Sequence, residues 1–229
     1  MRLARYFIAL LLCFVFVPNS GAQTHYDAQI SVGGKAGATL SKVNFNPTVP
    51  QTMIPGIMAG ATFRYLEERH FGIIAELNVE QRGWKEKFDG YDYSYQRSLT
   101  YIQLPVMTHI FFGSRHFHGF FNAGPEVGFM IASGTKSNFD YAHFESIEGF
   151  PSANRSTDQF TMKIKNRFDY GISAGLGMEW IKDRHHSFTL EGRFYYGLND
   201  VFSNHKTDVF SSSNSMSLMV SLGYFYRLK

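Results

Sequence analysis

Seven charged residues recur on what would be one common face of several strands: Glu76, Glu80, Arg82, Glu126, Glu179, Glu191 and Arg193. Carboxylates and guanidinium groups enclosed together must pair and hydrogen-bond, because an isolated buried charge is too costly. Their expected chemistry is mutual neutralisation, a charge plug, rather than catalysis. A second set lies in three near-copies of one short turn, Glu67-Glu68-Arg69-His70, Gly113-Ser114-Arg115-His116 and Lys182-Asp183-Arg184-His185. The pairs Arg69 and His70, Arg115 and His116, and Arg184 and His185 would give a basic surface whose charge changes near neutrality. Two readings stay open: a docking surface for a partner, or turns that are polar only because turns are.

Catalytic and metal chemistry find less support. His143 lies near Asp140 and Glu145, and His205 near Ser203 and Asp208, but nothing in the spacing fixes the geometry a serine–histidine–acid set needs. His116 and His118, with His185 and His186, could offer imidazoles to zinc, yet no cysteine or spaced acid accompanies them. No catalytic residue, metal or cofactor is expected.

The elements that must position these residues share one rhythm between residues 55 and 227. A period-two segment, a short charged turn and another period-two segment are followed by a long loop rich in Gly, Asn and Ser, about 35 residues around Ala132 to Asn166. Strands of 10 to 15 residues exceed the usual soluble length and suit a tilted membrane crossing. The pattern predicts an all-β protein, an eight-stranded antiparallel transmembrane β-barrel with short periplasmic turns and long outer loops.

Face assignment follows from the alternation. Phe71, Ile73, Ala75, Leu77 and Val79 oppose Glu76, Asn78, Glu80 and Arg82, while Phe168 to Trp180 in steps of two oppose Asp169, Ser173 and Glu179. Ser31, Lys35 and Thr39 share the polar face of the first strand, as Thr62 and Arg64 do in the second. Charges of both signs and many glycines occupy that face, and aromatics gather toward strand ends, so the polar face is expected inside. The segment from Ser98 to Phe112 alternates less clearly, and Pro105 within it predicts a local bulge.

Arg2 and Arg5 precede the eleven-residue apolar run Phe7 to Val17, and Pro18-Asn19-Ser20-Gly21-Ala22 offers small residues before Gln23. This predicts a signal peptide over residues 1–22, cleaved after Ala22, and a single barrel domain over 23–229 in a Gram-negative outer membrane. The competing reading is a lipoprotein signal using Cys13, the only cysteine. Without Arg2 and Arg5 the 22 Lys and Arg fall to 20 against 19 acidic residues, which excludes a general bias toward nucleic acid.

Gly33-Gly34-Lys35-Ala36-Gly37 with Leu40-Ser41, Tyr101-Ile102-Gln103-Leu104-Pro105-Val106, Phe120 to Gly128, Tyr195 to Asp200 and Leu222-Gly223-Tyr224 stand in an order that resembles the PorT-like outer-membrane β-barrel family of Bacteroidota envelopes. Gln103 replaces that family's usual acid, and the chain ends Tyr226-Arg227-Leu228-Lys229 rather than on an aromatic. The resemblance implies an eight-stranded barrel, and its namesake is linked to type IX protein secretion, a role that fold alone does not transfer. The expected function is non-enzymatic: a structural or accessory component of an envelope or secretion complex, acting through loops and periplasmic turns. Expected partners are outer-membrane lipid and lipopolysaccharide, the outer-membrane assembly machinery and a periplasmic or secretion-complex protein. The alternatives are a small-solute or hydrophobic-ligand channel, or a lipid-modifying or proteolytic barrel enzyme.

Overall fold

The computed structural model describes residues 28–152, 156–164, 166–202 and 209–229. The proposed signal peptide and the Ser203–His205–Asp208 set lie outside the described residues. The strands are β1 (Gln29–Asn46), β2 (Gln51–Thr52), β3 (Ile54–Leu66), β4 (Phe71–Glu86), β5 (Tyr95–Gly113), β6 (Phe117–Ser137), β7 (Phe168–Ile181), β8 (His186–Asp200) and β9 (Ser212–Arg227). All pairings are antiparallel: β1 pairs β3 and β9, β4 pairs β3 and β5, and each strand from β5 to β8 pairs the next. The sheet therefore closes on itself as a ring of eight long strands, and β2 is a two-residue continuation of β3 beside Lys85 and Glu86.

Closure leaves no sheet edge, which is what permits strands to cross hydrocarbon. Leu77, Ile172, Leu176, Val220 and Leu222 turn outward and are exposed, while Glu76, Glu80, Glu126, Glu179 and Glu191 are buried inside. Phe168 and Tyr170 mark one end of the apolar band, and Trp180, Phe188, Tyr224 and Tyr226 mark the other. Glycines on the inner face let strands and side chains approach. A Cβ at Gly37 would collide with the carbonyl of Val220 on β9, and one at Gly177 with the ring of Phe120 on β6.

Strand length decides where the core sits. The 21 residues of β6 extend about 70 Å at 3.3 Å each, more than twice the apolar band. Beyond the band the alternation inverts. On β1 the outward positions change from Ala36, Ala38 and Leu40 to Lys42 and Asn44, while the inward ones change from Thr39 and Ser41 to Val43 and Phe45. The same exchange on β5, from buried Gln103 to buried Tyr101, Leu99 and Tyr95, explains why that segment alternates poorly in sequence. Water surrounds the protruding wall, so its outside becomes polar and its inside becomes a conventional apolar core.

The bulge expected at Pro105 is displaced. The β5 register with β4 is the same on both sides of Pro105, with the ladder lapsing between Val106 and Gln103, and the register shift with β6 falls at Thr100/Tyr101. The wall thus tolerates the lost donor by a gap rather than an inserted residue.

Candidate functional site

The bore contains three zones, and the deepest is the charge network. Arg193 on β8 donates to both Glu76 oxygens, at 2.7 and 2.8 Å, and also to Glu191 at 2.8 Å. Lys35 on β1 reaches Glu76 at 2.7 Å and Glu191 at 3.4 Å. Arg82 on β4 meets Glu126 at 2.6 Å, Glu80 at 2.9 Å and Asp169 at 3.3 Å, with its guanidinium 3.7 Å from the Tyr195 ring centroid. Arg64 on β3 holds Glu179 through two hydrogen bonds of 2.9 and 2.8 Å.

All seven residues singled out from sequence thus point into the bore, where Lys35, Arg64 and Asp169 join them. The three additions stand on the polar face of their strands, so parity alone could have found them. Six carboxylates face four cations in this network, and hydroxyl donors serve the excess. Ser173 donates to Glu126, Ser187 to Glu179, Ser217 to Glu80 and Tyr195 to Asp169.

The second zone is the aromatic core inside the protruding wall at the long-loop end. Phe45, Trp84, Phe202 and Phe210 form its base, with Phe45 and Trp84 edge to face at 5.4 Å. Tyr95, Leu99 and Tyr101 continue it. The long loop after β6 folds back as its lid: Phe139, Phe144, Phe150 and Phe160 contact one another, and Phe88 meets Phe139 at 5.7 Å. Gln159 of the same loop is buried and donates to Glu86 at 2.8 Å. These contacts close the Phe139–Phe150 segment over the barrel's own mouth.

The third zone is open. A cavity of about 510 Å³ enters the bore at the short-turn end, lined by Arg115, His116, Lys182, Arg184 and Arg227 around Phe111 and Leu66. Its floor is the Arg64–Glu179 pair, and His118 lies 3.8 Å from that glutamate. The three Arg-His turns therefore divide. Arg115, His116 and Arg184 line this vestibule, whereas Arg69, His70 and His185 do not.

The histidines act largely as rim caps: His70 Nδ1 lies 3.1 Å from the Phe111 carbonyl, and His185 Nδ1 lies 3.1 Å from that of Arg227. His186 Nδ1 lies 2.6 Å from the Tyr224 hydroxyl. Asp183 accepts the His185 and His186 backbone N–H groups at 2.8 and 3.0 Å, and the first of these bonds most lowers its pKa from the usual Asp value.

Elsewhere the candidate chemistry is sparse. His143 and Asp140 pair at 2.9 Å in full exposure, and the Ser146 hydroxyl donates to the His143 carbonyl rather than to its ring. Among the described residues no group of three or more His, Cys, Asp or Glu is arranged to hold a metal ion.

A closed antiparallel barrel with charges inside and an apolar belt outside defines an outer-membrane β-barrel protein. The chain belongs to the outer membrane protein beta-barrel domain family, whose sequence model matches residues 21–203. A search of curated proteins finds no match. The fold is similar to that of the outer membrane protein OprG from Pseudomonas aeruginosa, at a TM-score of 0.54 and 11% identity, covering 89% of this chain and 97% of that one. Weaker likenesses include the attachment invasion locus protein Ail of Yersinia pestis in complex with a heparin analogue (TM-score 0.41, 10% identity, 86% and 99% covered). The outer membrane enzyme PagL also appears (TM-score 0.38, 9% identity, 82% and 97% covered).

Proposed function

We propose that this outer-membrane protein is a non-conducting, non-enzymatic barrel that serves as an accessory component of an envelope complex and works through its short-turn end. The observation that carries the reading is the distribution of filling along the bore. The aromatic core and the charge network lie in series, while the sizeable cavity opens at the end bearing the short turns. In outer-membrane barrels that end faces the periplasm. An eight-stranded bore is only wide enough for its own side chains, which favours a plug over a pathway. Type IX protein secretion is the process to which the PorT-like resemblance points, and periplasmic turns are where a secretion partner would meet the barrel. Tyr226, an outward-facing aromatic of β9, suits recognition by the assembly machinery.

Affinity purification from native outer membranes tests the reading. A stoichiometric periplasmic or envelope partner, lost when Arg69, Arg115 and Arg184 are all changed to serine, is the expected result. Unchanged partners and phenotype in that triple variant remove the docking role. Planar-bilayer recording tests the other half of the reading, since steady solute conductance by the purified protein would favour a channel.

A further inference from the structure

We infer that the short-turn vestibule is a binding pocket for an acidic peptide segment that carries apolar side chains between its carboxylates. The inference rests on the docking role proposed above and specifies the chemistry of what docks.

Charge comes first. The vestibule holds five cations, Arg64, Arg115, Lys182, Arg184 and Arg227, against two carboxylates, Glu179 and Asp183. Both carboxylates are already committed. Glu179 accepts two hydrogen bonds from Arg64 and one from Ser187, and Asp183 accepts the two backbone N–H groups of its own turn. The side chains of Arg115 and Arg184 make no hydrogen bond or ion pair with any described residue. A concave wall with an excess of one sign of charge focuses its field into the cavity and draws anions.

Shape and apolarity narrow the class. Leu66, Phe111 and Ile181 line the same cavity as the cations, so the pocket offers apolar contact as well as charge. A free inorganic anion would leave that apolar surface uncovered, whereas a peptide with Asp or Glu beside Leu or Phe satisfies both. The pocket is bounded by the inward-facing Arg64, Leu66, Phe111 and Glu179 rather than by the lipid-facing side of the strands. A volume of about 510 Å³ accepts a few side chains and not a folded domain. The occupant is therefore an exposed segment of a periplasmic partner. The barrel has no free sheet edge there, so recognition runs through side chains rather than strand addition.

The test uses the full barrel in nanodiscs and a fluorescein-labelled twelve-residue peptide of alternating Asp and Leu, read by anisotropy. The expected result is saturable binding that weakens steeply with salt, falls about tenfold in Arg115→Ser/Arg184→Ser through loss of two partly exposed ion pairs, and is lost when Asn replaces every Asp. Equal binding by the double variant or by the Asn peptide overturns the inference. So does displacement of the peptide by millimolar inorganic phosphate at an affinity matching the peptide's own, which would make the site one for a small anion.

The two readings fail separately. A partner captured from native membranes by a barrel that ignores the peptide leaves docking standing and removes this inference. Peptide binding by a barrel that captures no partner does the reverse.

Discussion

Arg193 and Glu76 meet across the bore, the guanidinium on β8 donating two hydrogen bonds of 2.7 and 2.8 Å to the carboxylate on β4. The strands that carry them are separated by β3, β1 and β9 around the ring, so this pair ties opposite walls together. Removing Glu76 leaves Arg193 and Lys35 to share Glu191, with part of their donors unsatisfied. Glu76→Ala should cost about 1–3 kcal/mol, the range for buried donors left without an acceptor. Urea unfolding in lipid vesicles reads the change. A cost below about 1 kcal/mol would show that water already solvates the bore.

The aromatic zone makes a separate prediction. Trp84 is fully buried against Phe45 and Phe202, so Trp84→Ala should destabilise the barrel by about 3–5 kcal/mol. It should not create a conducting pore, because the Arg82 and Arg193 ion pairs remain below. Unfolding curves check the first statement and single-channel recording the second. Steady conductance in the variant would mean that the charge network does not seal the bore.

Gly37 faces β9 at its pairing with Ser221, where a side chain would strike the Val220 carbonyl. Gly37→Val should therefore impair closure of the seam between the first and last strands. The check is the fraction of folded protein seen as the heat-modifiable band on a gel. Wild-type yield would show that this seam has slack.

The lipid face has its own cost. Leu176 on β7 is 69% exposed and lies between the aromatic ends Tyr170 and Trp180. Leu176→Arg should cost about 2–4 kcal/mol, the value for a cation near mid-bilayer. Leu228→Arg, past the end of β9, should fall within about 0–1 kcal/mol. Equal costs at the two positions would contradict the placement of the band.

The Asp183 turn gives a pH dependence. Its carboxylate is held below the usual Asp range, first by the His185 N–H. A depressed folded value means that the stabilisation is complete above the unfolded value near pH 4 and is lost as pH falls through the folded one. Hydrogen exchange at the His185 and His186 amides should stay protected down to about pH 4 and open below it. Asp183→Asn should remove that acid transition, and an identical profile in the variant would rule the carboxylate out as its source.

Much of the architecture was legible because strand parity is a local property. Leu77 beside Glu76, or Met178 beside Glu179, names lipid side and bore side without any neighbour being known. Lys35, Arg64 and Asp169 were legible in the same way, yet their partners were not. Which cation meets which carboxylate depends on the shear of a closed ring, and no local pattern encodes it. The aromatic core was hidden for a different reason. Val43, Phe45, Leu99 and Tyr101 keep the period of two but exchange faces where the wall leaves the membrane, so a single rule for the whole strand misassigns them.

The three Arg-His turns show the same division. Their sequence alone determined their type, spacing and common end of the barrel, since alternate hairpins of an up-and-down ring must return to one side. The tertiary structure decided that Arg115 and Arg184 open onto a shared cavity while His70 and His185 cap carbonyls at the rim. Chain direction fixes the end of a barrel on which a turn lies, but only the closed curve of the wall fixes which side chains face inward across it.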